Sequence, residues 1–181
     1  FQMWEKKKGE EAARSFGTAL EMYEKGVAQV REGSPADFKE VLAKFDEIIT
    51  KYPKTASGEL SLLYKGGILL KQGDYDGAIK AYTTFSERAG KEKLYRYFAW
   101  EGLGHAYEGK KDFAKALEAY QKILEIGEGY QLAEVNLSIG YCYERMGNEK
   151  EALDSFRAFL SKSQRSAHTD VIMRKVSLLA K

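Results

Sequence analysis

The stretch Trp100-Glu101-Gly102-Leu103-Gly104-His105-Ala106-Tyr107 decides the fold. Its aromatic, leucine-glycine and tyrosine positions fall at the spacing WxxLGxxY, and Ala116 and Tyr120 follow as a later AxxxF-type pair. The register returns around Gly66 with Leu69, Gly73, Tyr75, Ala78 and Tyr82, and around Gly140 with Ile139, Tyr143, Gly147, Ala152 and Phe156. Glycine precedes alanine by 12 residues in each copy, at Gly66/Ala78, Gly104/Ala116 and Gly140/Ala152. Small residues at a fixed interval predict two antiparallel helices crossing closely at those pairs, with packing outweighing the roughly 1 kcal/mol that glycine costs inside a helix.

Between the paired helices, Lys71-Gln72-Gly73-Asp74-Tyr75, Gly109-Lys110-Lys111-Asp112-Phe113 and Met146-Gly147-Asn148-Glu149 each offer a glycine for a left-handed turn and an Asp or Asn to cap the next helix. A degenerate hairpin precedes the three copies. Ser34-Pro35-Ala36-Asp37 reads as an N-cap and first turn of a helix running through Phe38, Val41, Leu42, Phe45, Ile48 and Ile49 to Tyr52-Pro53. Its partner is a long helix from about Lys6 to Val30 with Ala13, Phe16, Ala19, Leu20, Tyr23 and Val27 on one stripe. The aromatics Phe45, Tyr82, Tyr120 and Phe156 then recur at intervals of 37, 38 and 36 residues. After the last copy, Val171, Ile172, Val176, Leu178 and Leu179 beside Arg174 and Lys175 predict an amphipathic capping helix. The expected fold is all-α throughout: residues 1–56 a long helix and degenerate hairpin, 57–166 three repeats, 167–181 the cap, in one continuous array.

Composition excludes several function classes. The 29 basic and 27 acidic residues leave a net charge of +2 over 181 residues, with no dense basic cluster, so nucleic acid is not an expected partner. Cys142 is the single cysteine and only two histidines occur, too few for a disulfide scaffold or a structural zinc site. Gly66-Gly67 and Gly102-x-Gly104 lie within predicted helices and are not phosphate loops. His168-Thr169-Asp170 reads as a helix cap, and no nucleophile, histidine and carboxylate form a catalytic set. No cofactor, metal or catalytic residue is expected.

With its motifs in place, the segment from Ser57 to Lys162 resembles the tetratricopeptide repeat family. The order of features suggests a closer likeness. A Trp-containing start, the long helix through Phe16, Leu20 and Tyr23, the Gly33-Ser34-Pro35 corner, the Phe45 to Pro53 run and a terminal Met173-Arg174-Lys175-Val176 helix resemble the YfgM-type proteins. That resemblance implies a repeat domain at the periplasmic face of the bacterial inner membrane, ancillary to the Sec translocon or to periplasmic chaperones, reaching the membrane only through an N-terminal anchor outside this chain. The opening Phe1-Gln2-Met3-Trp4 with Lys6, Lys7 and Lys8 reads either as the end of such an anchor or as a frayed helix start. Phe45-xx-Ile48-xxx-Tyr52-Pro53 also resembles the repeats of outer-membrane-assembly and Tol-Pal-associated proteins, which remain the alternative beside a cytoplasmic adaptor.

In the family the first helix of each repeat lines a ligand-facing groove. The resemblance assigns to that groove Leu63 from the first complete copy, Phe98, Glu101 and His105 from the second, and Leu137, Tyr141 and Glu144 from the third. The surface is mixed apolar and acidic, which suits a protein or peptide partner. Leu63, Gly67, Gly102, Glu134 and Ser138 stand where a carboxylate clamp would need Lys, Arg and Asn, so a chaperone-tail clamp is not expected. Trp100, Tyr107, Tyr120, Tyr143 and Phe156 are expected in the core, and Cys142 as a buried, inert thiol.

Overall fold

A computed structural model describes residues 2–88, 92–127, 132–163 and 167–180; the proposed anchor end at Phe1 and the expected repeat-to-cap boundary at 166 lie outside them. The described residues form nine helices and no strand: α1 (Gln2–Arg31), α2 (Lys39–Lys51), α3 (Ala56–Lys71), α4 (Tyr75–Arg88), α5 (Lys93–Gly109), α6 (Phe113–Leu124), α7 (Leu132–Arg145), α8 (Glu149–Lys162) and α9 (Ala167–Leu179). They divide into two compact units, Phe1–Tyr95 and Arg96–Lys181.

In the first unit α1 packs on α2 and α3, and α3 packs on α4. Ala12, Ala19, Val41, Phe45, Ile48, Tyr52 and Ile68 form its core. Around them Phe16, Phe45 and Tyr64 stack edge and face, with Phe45 and Tyr64 ring centroids 5.5 Å apart. The buried stripe of α1 differs by one position from the expected one, since Ala12 is buried and Ala13 exposed. The opening of α2 also differs. Ser34 caps nothing; Asp37 Oδ1 accepts from the Lys39 N–H at 2.8 Å, and the helix starts only at Lys39.

The second unit holds the two best-matched hairpins and α9. Tyr97, Ala116, Leu117, Tyr120, Ile123, Val135, Ile139 and Cys142 make one core, with Trp100, Tyr107 and Tyr143 packed against it. Leu137, Ala152, Phe156, Phe159 and Ile172 make another. The three Gly/Ala pairs sit in the interior, but the glycines are required by a different neighbour from the alanine. A Cβ on Gly66 would stand 2.8 Å from the Tyr82 ring, one on Gly104 2.3 Å from Tyr120, and one on Gly140 2.5 Å from Phe156. Each ring lies 16 residues after its glycine and occupies the space a side chain would fill.

The corners share one hydrogen-bond pattern. At the ends of α3, α5 and α7, Gly73, Lys111 and Gly147 donate to Leu70, Glu108 and Glu144, and Asp74, Asp112 and Asn148 donate to Leu69, Tyr107 and Tyr143. Asp74 then caps Gly77 and Asp112 caps Lys115, whereas Asn148 makes no side-chain cap. The middle corner departs from expectation in its left-handed residue: Gly109 stays helical and Lys111 takes φ 60, where Gly73 and Gly147 have φ 79. A lysine there bears steric strain of roughly 1–2 kcal/mol, of which glycine would return part after its own entropic cost. Lys111→Gly should therefore raise stability by somewhat under ~1 kcal/mol, read as a higher urea midpoint at unchanged slope; a lowered midpoint would show that the Lys111 side chain contributes more than its backbone strain costs.

Candidate functional site

On α5 the inward positions Tyr97 and Ala99 are buried, which leaves Phe98 between them 46 % exposed. The two aromatics meet edge to face with centroids 5.6 Å apart. Tyr97 Oη donates to Glu101 Oε1 at 3.0 Å, so the first turn of this face ends on an anchored carboxylate. One turn further, Tyr120 reaches up from α6. Its hydroxyl donates to Glu108 Oε2 at 2.6 Å and lies 3.0 Å from His105 Nδ1. His105 Nδ1 is in turn 3.3 Å from the same Glu108 oxygen, which closes a three-membered polar lattice over the core.

The lattice sets the charges. Hydrogen bonding to Glu108 holds the His105 imidazolium above its ordinary pKa of 6.5, despite an opposing effect of burial. For Glu108, burial pushes the carboxyl up, but the hydrogen bonds from His105 and Tyr120 and the charges of His105 and Arg145 together carry it below its ordinary 4.5. The Tyr120 hydroxyl is raised by burial and by Glu108, so it stays a donor. The His105 contribution to stability is complete below pH 6.5 and fades as pH rises through its elevated folded value. The Glu108 contribution is complete above pH 4.5 and fades as pH falls through its depressed value, so both act between these limits. Following the His105 ring proton by NMR should give a midpoint above 6.5 that falls in Glu108→Gln; an unchanged midpoint would remove Glu108 as its partner.

Two depressions flank the lattice on the face shared by α5, α6 and α7. One, of about 270 Å³, is lined by Glu101, His105, Tyr120, Ile123, Glu134, Val135 and Ser138. The other, of about 450 Å³, is lined by Glu108, Lys111, Phe113, Tyr141 and Arg145. They lie at opposite ends because α6 runs antiparallel, placing Ile123 beside the starts of α5 and α7 and Phe113 beside their ends.

The residues assigned to the groove by resemblance are distributed unevenly. Leu63 is half-buried on α3 in the first unit, while the other six belong to the second. Phe98, Glu101 and His105 share the α5 face. Leu137 is not a groove residue: it is 7 % exposed and packs with Phe156, Phe159 and Ile172, because α9 covers that end. Tyr141 is half-buried edge-on to Phe156 at 5.4 Å, and Lys175 of α9 lies over both rings. The same lysine pairs with Glu144 at 2.5 Å, so that carboxylate is engaged by the chain itself. The lattice of Glu108 with His105 and Tyr120 was not found from the sequence, where the i, i+3 spacing and the glycine-to-ring interval are the available signals.

Elsewhere, Cys142 is fully buried and its thiol is pushed up to about 12 by burial and then by the Glu108 charge. The helix α9 begins at Ala167, so His168, Thr169 and Asp170 are its first turn rather than a cap before it. Among the described residues no His, Cys, Asp and Glu gather as a metal site, and no helix is long and apolar enough to cross a membrane.

Family models described as tetratricopeptide repeat match residues 63–131 and 134–166, together more than half of the chain. No curated protein matches it. Solved structures do. MamA from Desulfovibrio magneticus is 23% identical with a TM-score of 0.60, covering 82% of this chain and 78% of its own. A tetratricopeptide repeat protein from Parabacteroides merdae is 20% identical with a TM-score of 0.70, covering 92% of this chain and 60% of its own. Pseudomonas aeruginosa pilF is 14% identical with a TM-score of 0.55, covering 94% and 86%. Identities this low speak for the fold alone, and with the repeat models they settle one point: the chain is a tetratricopeptide-repeat protein, an all-α solenoid of the class that serves as protein-interaction scaffolds.

Proposed function

We propose that the protein is a non-enzymatic scaffold whose second unit holds a segment of a partner protein across the α5 and α7 face. The observation that carries this reading is Phe98. Trp100, Tyr107, Tyr120, Tyr143 and Phe156 are all drawn into the cores, whereas Phe98 stays 46 % exposed beside Glu101 and the His105 lattice. An exposed aromatic ringed by polar groups supplies affinity through burial, with the charges biasing orientation. The envelope setting is part of the proposal and is supported by the YfgM-type resemblance; the partner there is a translocon subunit or a periplasmic chaperone.

A photo-crosslinking amino acid at position 98, compared in living cells with one at the exposed α6 position Glu118, tests the face. A discrete, mass-identified adduct at 98 and none at 118 is expected, and Phe98→Ala should lower partner capture at equal helicity. Equal adducts at both positions, or none at 98, would move the site elsewhere. Thiol labelling of a surface cysteine in intact cells reads the compartment: modification only after the inner membrane is breached would overturn the periplasmic setting.

A further inference from the structure

The α5, α6 and α7 face has a sign at each end. In the smaller depression Glu134 is exposed and enters no ion pair among the described residues, and Glu101 accepts only from a neutral tyrosine. Tyr97 is pushed up by burial and then by the carboxylates of Glu101 and Glu134, two acidic groups against the one cationic group on this lining, His105. Ile123 and Val135 lie beneath the carboxylates as a buried apolar floor, beside which the attraction for a basic head group is stronger than in open water. In the larger depression the Glu108 carboxylate is bonded to Tyr120 and His105 and feels the Arg145 charge, which leaves two cations, Lys111 and Arg145, against that one carboxylate. The Arg145 guanidinium stands 5.9 Å over the Phe113 ring, which holds it at this rim.

We infer that this face takes a dipolar partner segment, a basic side chain between Glu101 and Glu134 and an acidic side chain at Lys111 and Arg145, four residues apart on one face of an extended chain. The spacing follows from α7, along which Glu134 and Arg145 are 11 residues apart. At 1.5 Å per residue that is about 16 Å; side chains at i and i+4 share one face of an extended chain about 13 Å apart, and the reach of the long basic side chain makes up the difference. A short apolar residue between the two charges meets Phe98 or Tyr141 from above. The inference rests on the scaffold reading and specifies its partner.

The test is an amide NMR titration of the full chain with the end-blocked peptide Arg-Ala-Leu-Ala-Asp. Its controls are Asp-Ala-Leu-Ala-Asp and Ala-Arg-Asp-Leu-Ala, which alter the sign and the spacing. The dipolar peptide should bind at least tenfold more tightly than either, with shifts at both ends of the face. The double variant Glu101→Gln, Glu134→Gln should erase that advantage, while Phe98→Ala should weaken all three peptides alike. Equal binding of the doubly acidic peptide, or a full advantage in the glutamine variant, overturns the charge assignment. If the crosslinker at position 98 still captures a partner, the scaffold reading survives that failure; if it captures none, both fall.

Discussion

Gly104→Leu should destabilise the protein by roughly 1–3 kcal/mol from overpacking alone. A Cβ at this position would stand 2.3 Å from Tyr120 Cε1 and 2.5 Å from Cζ, and leucine adds three further carbons behind it. The ring cannot retreat cheaply, because Tyr120 is 1 % exposed and wedged among Ala116, Ile123 and Ile139. Displacing it also breaks the hydroxyl's bond to Glu108, which adds about 1 kcal/mol or more. Chemical denaturation gives the total, and the His105 midpoint should fall with it as the lattice opens. Gly17→Ala is the matched control: nothing lies within 4 Å of a Cβ there, and helix propensity alone should make it neutral or stabilising. An unchanged denaturation midpoint for Gly104→Leu would mean that the α5 to α6 crossing is misplaced.

The largest expected loss belongs to Phe156→Ala, roughly 3–5 kcal/mol. The ring is fully buried, fills the space over Gly140, meets Tyr141 edge-on and lies under Lys175. Its removal takes a shared partner from Leu137, Phe159 and Ile172 together, so three helices lose packing at one point. Hydrogen exchange should show protection falling across α7, α8 and α9, with the α1 to α4 amides little changed. A loss below about 1 kcal/mol would show that the site collapses onto itself instead of leaving a cavity.

The repeats were legible because their constraint is steric and periodic: a glycine, a ring 16 residues later and a corner between them appear in three copies. Periodicity does not name the neighbour on which a residue's role depends. The 12-residue Gly/Ala interval was visible, but the group pressing on Gly104 is Tyr120, four residues past Ala116. On α1 the expected Phe16, Ala19 and Tyr23 pack on the core and only Ala13 gives way to Ala12, because the two are equally small and contacts with α2 and α3 choose between them. Ser34-Pro35 has the composition of a helix start, yet Asp37 supplies a local turn that delays α2 to Lys39. Leu137, Tyr141 and Glu144 fall on the outward face by register, and it is α9, through Ile172 and Lys175, that closes over them. The polar lattice went unread because Glu108 and His105 on α5 look like surface charge until Tyr120 of α6 is placed beneath them.

That closure by α9 has a consequence for synthesis on the ribosome. Through α1 to α6 each hairpin finds its partners among helices already made or immediately following. The pocket of Leu137, Phe156 and Phe159 is the last to close, since Ile172 and the Lys175 bridge to Glu144 arrive only after α8 is complete. A nascent chain halted before residue 172 therefore displays a greasy, half-built hairpin behind a finished first unit. Stalling or cleavage between α8 and α9 should accordingly promote aggregation, however stable the residues before it.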